Sequence, residues 1–356
     1  MDNGKLPVAI LGATGAVGQR FIQLLEDHPW FEVRELFASE RSAGKPYREA
    51  ANWVLDGGPP SRVGELVVQL LGGAVSSPLV FSALPKEAAV ELEPKLAAQG
   101  KIVCTNASAY RMTPDVPLLL AEVNGDHVAL LDRQRATRGW STGALIANSN
   151  CTAMPVVMTL APLRQFGVKR VHVVSQQAIS GAGYPGVPSM DMIDNVIPYV
   201  SGDEEKLETE PLKMLGTFDG EQITPLDTRI GASCTRVPVL DGHLVHVSVE
   251  LEERPTHAQI REAWACFRGS PEVASLPSSP ALPVVYLEQH DRPQPRRDRM
   301  IGAGMATAVG RLRDCPLLGY KYFALSHNTI RGAAGSSIQN AELLARRGYI
   351  DSFRPN

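Results

Sequence analysis

Leu6-Pro7-Val8-Ala9-Ile10-Leu11, Gly12-Ala13-Thr14-Gly15-Ala16-Val17-Gly18 and Gln19-Arg20-Phe21-Ile22-Gln23-Leu24-Leu25 follow one another without a break. The first block reads as a short apolar strand, the second as a glycine turn and the third as a helix. In that order, backbone can approach a pyrophosphate, and the free N–H groups of the helix start meet its charge. The spacing is GxxGxxG, not the commoner GxGxxG, so the pattern alone also fits a tight turn without ligand. Its place after the first strand favours the dinucleotide reading.

Outward from this turn, strands alternate with helices. Phe31 to Ala38 is a second strand, and Ser39-Glu40-Arg41-Ser42-Ala43-Gly44-Lys45 follows it. An NAD site wants a carboxylate here for the ribose 2′-hydroxyl, whereas an NADP site wants hydroxyls and cations for the 2′-phosphate. Ser39, Arg41, Ser42 and Lys45 suit the phosphate, Glu40 alone dissents, and the balance points to NADP. Residues 78–85 and 101–106 are further buried strands, with a helix from Lys86 to Gln99 between them. The alternation predicts an α/β fold around a parallel, doubly wound sheet, with Ser82-Ala83-Leu84 at its ligand-binding carboxyl edge. Residues 50–73 have no clear period and resist placement.

The 356 residues suffice for two or three domains. A net charge of −3 without a large basic block excludes an obvious nucleic-acid or anionic-membrane surface. No apolar run has the length of a membrane span, and the first residues lack the pattern of a signal peptide. Five scattered cysteines without CxxC spacing argue against a disulfide framework or a zinc site, so no metal is expected and a reducing cytoplasm is.

Ser149-Asn150-Cys151-Thr152-Ala153 leads into an apolar run, Met154 to Leu160. Ser149 and Asn150 are good N-cap residues, which puts Cys151 in the first turn of a buried helix. There, unpaired N–H groups and the helix dipole favour a thiolate; the plainer reading is a small buried hydrophobe. Residues 170–178 alternate as a strand, and the loop Ser180-Gly181-Ala182-Gly183 follows. Residues 197–206 open a charged helix. His243 comes at the tight turn Asp241-Gly242 before another strand, where a side chain can project into a cleft; His246, inside that strand, reads as structural.

Taken together, Gly12 to Gly18, Ser39 to Lys45, Asn106 to Met112, Ser149 to Thr152, Asp241-Gly242-His243 and His327 to Gly335 resemble the aspartate-semialdehyde dehydrogenase family, in its archaeal and fungal branch. The likeness runs nearly end to end. It implies a Rossmann-like NADP-binding domain over residues 1–148, completed by a C-terminal helix over 328–356. It also implies an α+β catalytic and dimerisation domain over 149–327, and a homodimer or homotetramer. The implied reaction is NADPH-dependent reductive dephosphorylation of 4-phospho-L-aspartate to L-aspartate 4-semialdehyde through a cysteine acyl-enzyme. By the same resemblance Cys151 is the nucleophile and His243 the general acid/base, while Asn150 positions the catalytic groups and Gln177 orients the acyl intermediate. Arg236 takes the substrate carboxylate, Arg111 and Lys206 the phosphate, and Glu205 (or its neighbour Glu204) the amine. Gly12, Thr14, Gly15, Ala16, Val17, Ser39, Arg41, Ser42, Ser82, Ala83, Gly181 and Asn328 are the implied NADP contacts.

Two other readings stand beside this one. An acyl-CoA reductase, such as one acting on malonyl-CoA, can keep the same cysteine and histidine. A non-catalytic paralogue would be expected to have lost one of them, and both are present. Residues 271–300, rich in proline and carrying Arg292-Pro293-Gln294-Pro295-Arg296-Arg297-Asp298-Arg299, read as an extended arm without helix.

Overall fold

The glycine turn sits at the middle of a seven-stranded sheet in the computed structural model, which describes residues 4–350. Its strands are β1 (Leu6–Leu11), β2 (Phe31–Ala38), β3 (Gln69–Leu70), β4 (Leu79–Ser82), β5 (Ile102–Thr105), β6 (Leu118–Leu119) and β7 (Ala144–Asn148). They lie in the order β3-β2-β1-β4-β5-β7-β6, every pair parallel. The order reverses between β1 and β4, which opens a crevice at their carboxyl ends. Helix α1 (Ala16–Leu25) leaves β1 through the turn, and α2 (Lys86–Ala98) follows β4. Gly12 has φ +75°, and a Cβ there would lie 2.7 Å from Ala83 O; a Cβ on Gly18 would fall onto Gly12 O. These two glycines are therefore required by the turn itself.

After β7 the chain enters α3 (Ala153–Leu160), all eight of whose residues are buried. This all-round apolar helix lies within one hydrophobic cluster that runs from Leu11 and Phe37 to Val245, Val247 and Tyr322. It thus joins the first sheet to a second. The second sheet is mixed: β8 (Val168–Gln177), β11 (Arg229–Arg236), β12 (His243–Leu251), β13 (Val284–Leu287), β14 (Thr307–Cys315) and β15 (Gly319–Ser326) take the order β11-β8-β12-β15-β14-β13. The small hairpin of β9 (Thr217–Phe218) and β10 (Ile223–Thr224) stands apart. Helix α4 (Asp203–Met214) packs beside β11 and α3. Helix α5 (Gly335–Arg346) returns to the first domain, where Ile338, Ala341 and Leu344 share a core with Val8, Ile10 and Phe21. The remainder of the expected C-terminal helix, 351–356, lies outside the described residues.

Two local expectations change. The proline-rich stretch supplies β13 at the edge of the second sheet and helical turns at Pro271–Ala274 and Pro295–Asp298. Each turn begins at its proline, where the missing N–H would have been unpaired in any case. Residues 50–73 lacked a period because they hold only one short helical turn, Ser61–Gly64, and the two residues of β3. Among the described residues no helix is long and apolar enough to cross a membrane.

Candidate active site

The carboxyl ends of both sheets open onto one cavity of about 680 Å³. The loop after β5 brings Asn106 and Arg111; the turn before α3 brings Asn150 and Cys151; β8 and β11 end in Gln177 and Arg236. Asn150 performs the expected capping. Its Oδ1 accepts the N–H groups of Thr152 (2.8 Å) and Ala153 (3.3 Å), which places Cys151 in the turn just ahead of the helix.

His243 opens β12 and is fully buried, with Nε2 3.2 Å from Cys151 Sγ. Ala178 N–H donates to His243 Nδ1 at 3.0 Å. The neutral ring therefore carries its proton on Nε2 and points it at sulfur. The carbonyl of Ala178 accepts from Arg236 Nη1 at 2.7 Å, so one residue orients both side chains. Burial pushes the Cys151 thiol up to about 11, with Asp203 adding to the rise and Arg111 and Arg236 opposing it. Burial, reinforced by Arg236, holds His243 down at about 3. Burial thus works against the expected helix-start thiolate, because desolvation opposes both the dipole and the two arginines.

The charged wall comes largely from one face of α4. Asp203, Lys206, Glu210 and Lys213 recur at helical spacing. Glu210 Oε1 takes Arg111 Nη1 at 2.9 Å, and its Oε2 accepts Asn150 N–H at 2.6 Å, so one carboxylate ties Arg111 to the nucleophile's turn. Lys213 Nζ donates to the carbonyls of Arg111, Thr113 and Val116 at 2.7–2.8 Å, and burial lowers it to about 8. Asp203 Oδ1 holds Lys206 Nζ at 2.8 Å and Asn150 Nδ2 at 3.2 Å. The cavity thus offers a thiol, a hydrogen-bond donor beside it, four cations (Lys86, Arg111, Lys206 and Arg236) and one carboxylate, Asp203.

Comparison with known proteins gives the chain a family. The family models "Semialdehyde dehydrogenase, NAD binding domain" and "Semialdehyde dehydrogenase, dimerisation domain" match residues 7–131 and 160–331. The aspartate-semialdehyde dehydrogenase of Archaeoglobus fulgidus is 48% identical over 97% of this chain and 100% of its own length. That of Aspergillus fumigatus is 43% identical over 97% and 99%. The crystal structure of the Candida albicans enzyme with NADP superposes with a TM-score of 0.88 at 37% identity, covering 97% of this chain and 99% of that one. The chain belongs to the aspartate-semialdehyde dehydrogenase family.

Against that family's expected site, most residues lie where the resemblance put them. Cys151, Asn150, Gln177, Arg111, Lys206, Arg236, Gly181, Val17 and Asn328 line the cavity, and His243 stands behind Cys151. Glu205 does not reach it: its side chain is exposed, and Glu204 instead accepts Cys234 N–H at 3.0 Å. The carboxylate in the cavity is Asp203, one turn of helix from Lys206 and on the same face, whereas Glu205 points away. The spacing of three residues before Lys206 was the available signal. Ser82 is fully buried beside Glu93, so its side chain does not face the cavity. Ala83 acts through its carbonyl, on which Gly12 packs. A Cβ on Gly181 would lie 2.8 Å from Arg236 Nη1 and 3.0 Å from His243 Cε1, which sets it against both side chains.

The cofactor residues form a graded surface. Ala16 and Arg20 line a recess of about 150 Å³ adjoining the main cavity. Helix α1 has no side-chain cap, and the nearest atom to an added Cβ on Gly15 is Gly12 O at 3.4 Å, so its N-terminus is open to a pyrophosphate. Ser39, Arg41 and Ser42 form the turn after β2, closed by Ser42 N–H to Ser39 O at 2.9 Å. A third cavity, of about 240 Å³, is walled by Leu11, Phe37, Leu71 and Val75. Sequence reading missed Glu210 and Lys213. A Cβ on Gly332 would lie 2.6 Å from Cys151 Cβ, so the small-residue run Gly332-Ala333-Ala334-Gly335 backs the nucleophile.

Proposed function

We propose that this chain reduces 4-phospho-L-aspartate to L-aspartate 4-semialdehyde, reversibly and with NADPH, in amino-acid biosynthesis. The observation that carries the reading is Cys151 Sγ against His243 Nε2 at 3.2 Å, in a cavity whose cations and single carboxylate complement an amino acid bearing an acyl phosphate. Arg111 and Lys206 take the phosphate, Arg236 the α-carboxylate and Asp203 the ammonium. Cys151 sulfur attacks the acyl carbon, its thiol proton leaves on the departing phosphate as the C–O bond breaks, and a thioester forms on sulfur. The uncapped start of α1 and the turn after β2 fit NADP. NADPH bound there supplies the hydride that reduces the thioester. His243 Nε2–H faces the tetrahedral oxygen that results, and the low proton affinity of the ring keeps it a neutral donor. Collapse of that oxyanion breaks the C–S bond, and sulfur leaves as a thiolate beside Nε2–H and regains its proton from solvent. Gln177, buried at the rim, holds the acyl group in line.

In solution the chain is a homo-oligomer built on the matched dimerisation domain, and the homodimer is the smallest such assembly. The test supplies aspartate semialdehyde, phosphate and NADP in one arm, and malonyl-CoA with NADPH in another. Turnover in the first arm and none in the second is expected, with Cys151→Ser inactive yet still binding NADP. Turnover of malonyl-CoA alone would overturn the substrate and reassign Arg111 and Lys206. Equal efficiency with NAD would show that Glu40, not Ser39 and Ser42, meets the ribose.

A further inference from the structure

The arginine- and proline-rich stretch is the part of the sequence that the reaction leaves unused. Its fold gives it a place. Asp298, 1% exposed, binds Arg292 through both carboxylate oxygens and accepts Gln294 N–H at 2.6 Å, which closes residues 292–298 into a rigid knot. The knot lies behind the turn that delivers His243. Gly242 has φ +102°, and a Cβ there would meet Pro295 Cβ, Arg299 Cβ and Leu325 Cδ1, each at 3.3 Å. Arg299 Nη1 donates to Asp241 O at 3.1 Å, while Gly242 N–H donates to Asn328 Oδ1 at 2.8 Å. Thus both polar groups of the Asp241–Gly242 peptide are held from outside the turn, its carbonyl by Arg299 next to the knot and its N–H by Asn328.

We infer that Arg299, braced by the Asp298 knot, is a positioning residue that sets His243 against Cys151. The inference rests on His243 acting on the Cys151 sulfur. The physical case is one of lever arm. His243 is the first residue of β12, so its backbone is fixed by the sheet on one side only, where it pairs with Ser326. On the other side, the left-handed Gly242 would keep only Asn328 Oδ1 and Leu325 without the contacts from Pro295 and Arg299. A displacement of about 1 Å at a reacting pair costs on the order of a hundredfold in rate. Arg236, Asp203 and His327 are the other charged or titratable groups that act on the ring, and none of them holds this turn.

The test compares Arg299→Ala, Arg299→Lys and Asp298→Asn in the full chain, with His243→Asn as reference. One readout needs no substrate: the rate at which iodoacetamide alkylates Cys151 from pH 6 to 10, followed by mass spectrometry of its peptide. Arg299→Ala should move that profile toward the His243→Asn profile. It should lower kcat about tenfold or more, with the KM for NADP and for aspartate semialdehyde within about twofold of wild type. Arg299→Lys, which keeps a donor for Asp241 O, should recover part of the loss. Asp298→Asn should act in the same direction, and it stands in if Arg299→Ala fails to fold. An alkylation profile and kcat like wild type in a folded Arg299→Ala protein would overturn the inference. So would a loss shared equally between kcat and NADP binding. A wild type that ignores aspartate semialdehyde would sink the proposed reaction, while the alkylation profiles would still judge Arg299.

Discussion

Cys151 is held from behind by a residue that has no side chain. With Gly332 as close as it is, an alanine there must push the nucleophile's backbone or its own helix by several tenths of an ångström. Gly332→Ala should therefore cost about tenfold or more in kcat while NADP affinity, measured by fluorescence titration, changes little. Wild-type kcat in that variant would mean the two backbones can part freely. A second test separates neighbours on one helix. Asp203→Asn should raise the KM for aspartate semialdehyde by about tenfold, since a charge-assisted contact is worth roughly 1.5–3 kcal/mol. Glu205→Gln, exposed and outside the cavity, should leave KM within about twofold. The reverse result would return the ammonium to Glu205. The residue scale is also where the sequence was least explicit: it shows that a stretch is acidic, but only the helix phase shows which acid faces the substrate.

At the scale of elements, patterns with a strong period were legible and patterns set by distant partners were not. The β1 turn and α1 could be read directly, because two of its glycines answer to local sterics. Helix α4 read only as a charged helix, yet Asp203, Glu210 and Lys213 are buried, each matched by a group far away in sequence. Sequence spacing gives the phase of such a stripe but not the loop that neutralises it. Helix α2 carries a similar hidden group. Glu93 is fully buried, accepts the Thr105 hydroxyl at 2.6 Å, and is pushed up to about 7 by burial, against the hydrogen bond from Thr105. An unfolded glutamate titrates near pH 4.3, so between about pH 4.3 and 7 the folded state binds the extra proton. Stability is then lost as pH rises through that window and is level above it, a change of about 3 kcal/mol from this group. Glu93→Gln keeps the Thr105 contact and removes the titration. Its Tm should gain on wild type from pH 5 to 7 and hold that gain to pH 8.5. A Tm difference that is constant with pH would show that Glu93 stays ionised throughout.

At the scale of the whole molecule, the second sheet's cover leaves a face that a monomer has little use for. Met190, Ile193, Val196 and Tyr199 are 86, 70, 53 and 63% exposed, and Tyr184 and Leu240 add 62 and 65%. Large side chains this exposed along one segment mark an interaction surface more often than a solvated one. They fall within the matched dimerisation domain, residues 160–331, which makes a second copy of the chain the expected partner. The same segment has an inner side: Gly183, Val200 and Ser201 line the catalytic cavity, and Ile197 bridges to Arg236 at the end of β11. Covering the outer side should therefore also hold Arg236 and the cavity wall in place. Ile193→Asp would put an unpaired charge into such an interface, a change worth several kcal/mol when the other copy offers no cation. Sedimentation equilibrium should show its mass falling toward the 38.4 kDa of one chain, while far-UV circular dichroism stays that of the folded protein. Specific activity should fall with it and recover partly as protein concentration is raised, because association and cavity order are linked. An Ile193→Asp protein with unchanged mass would place the interface elsewhere on the second domain. A fully active monomer would show that the cavity wall stands without its neighbour.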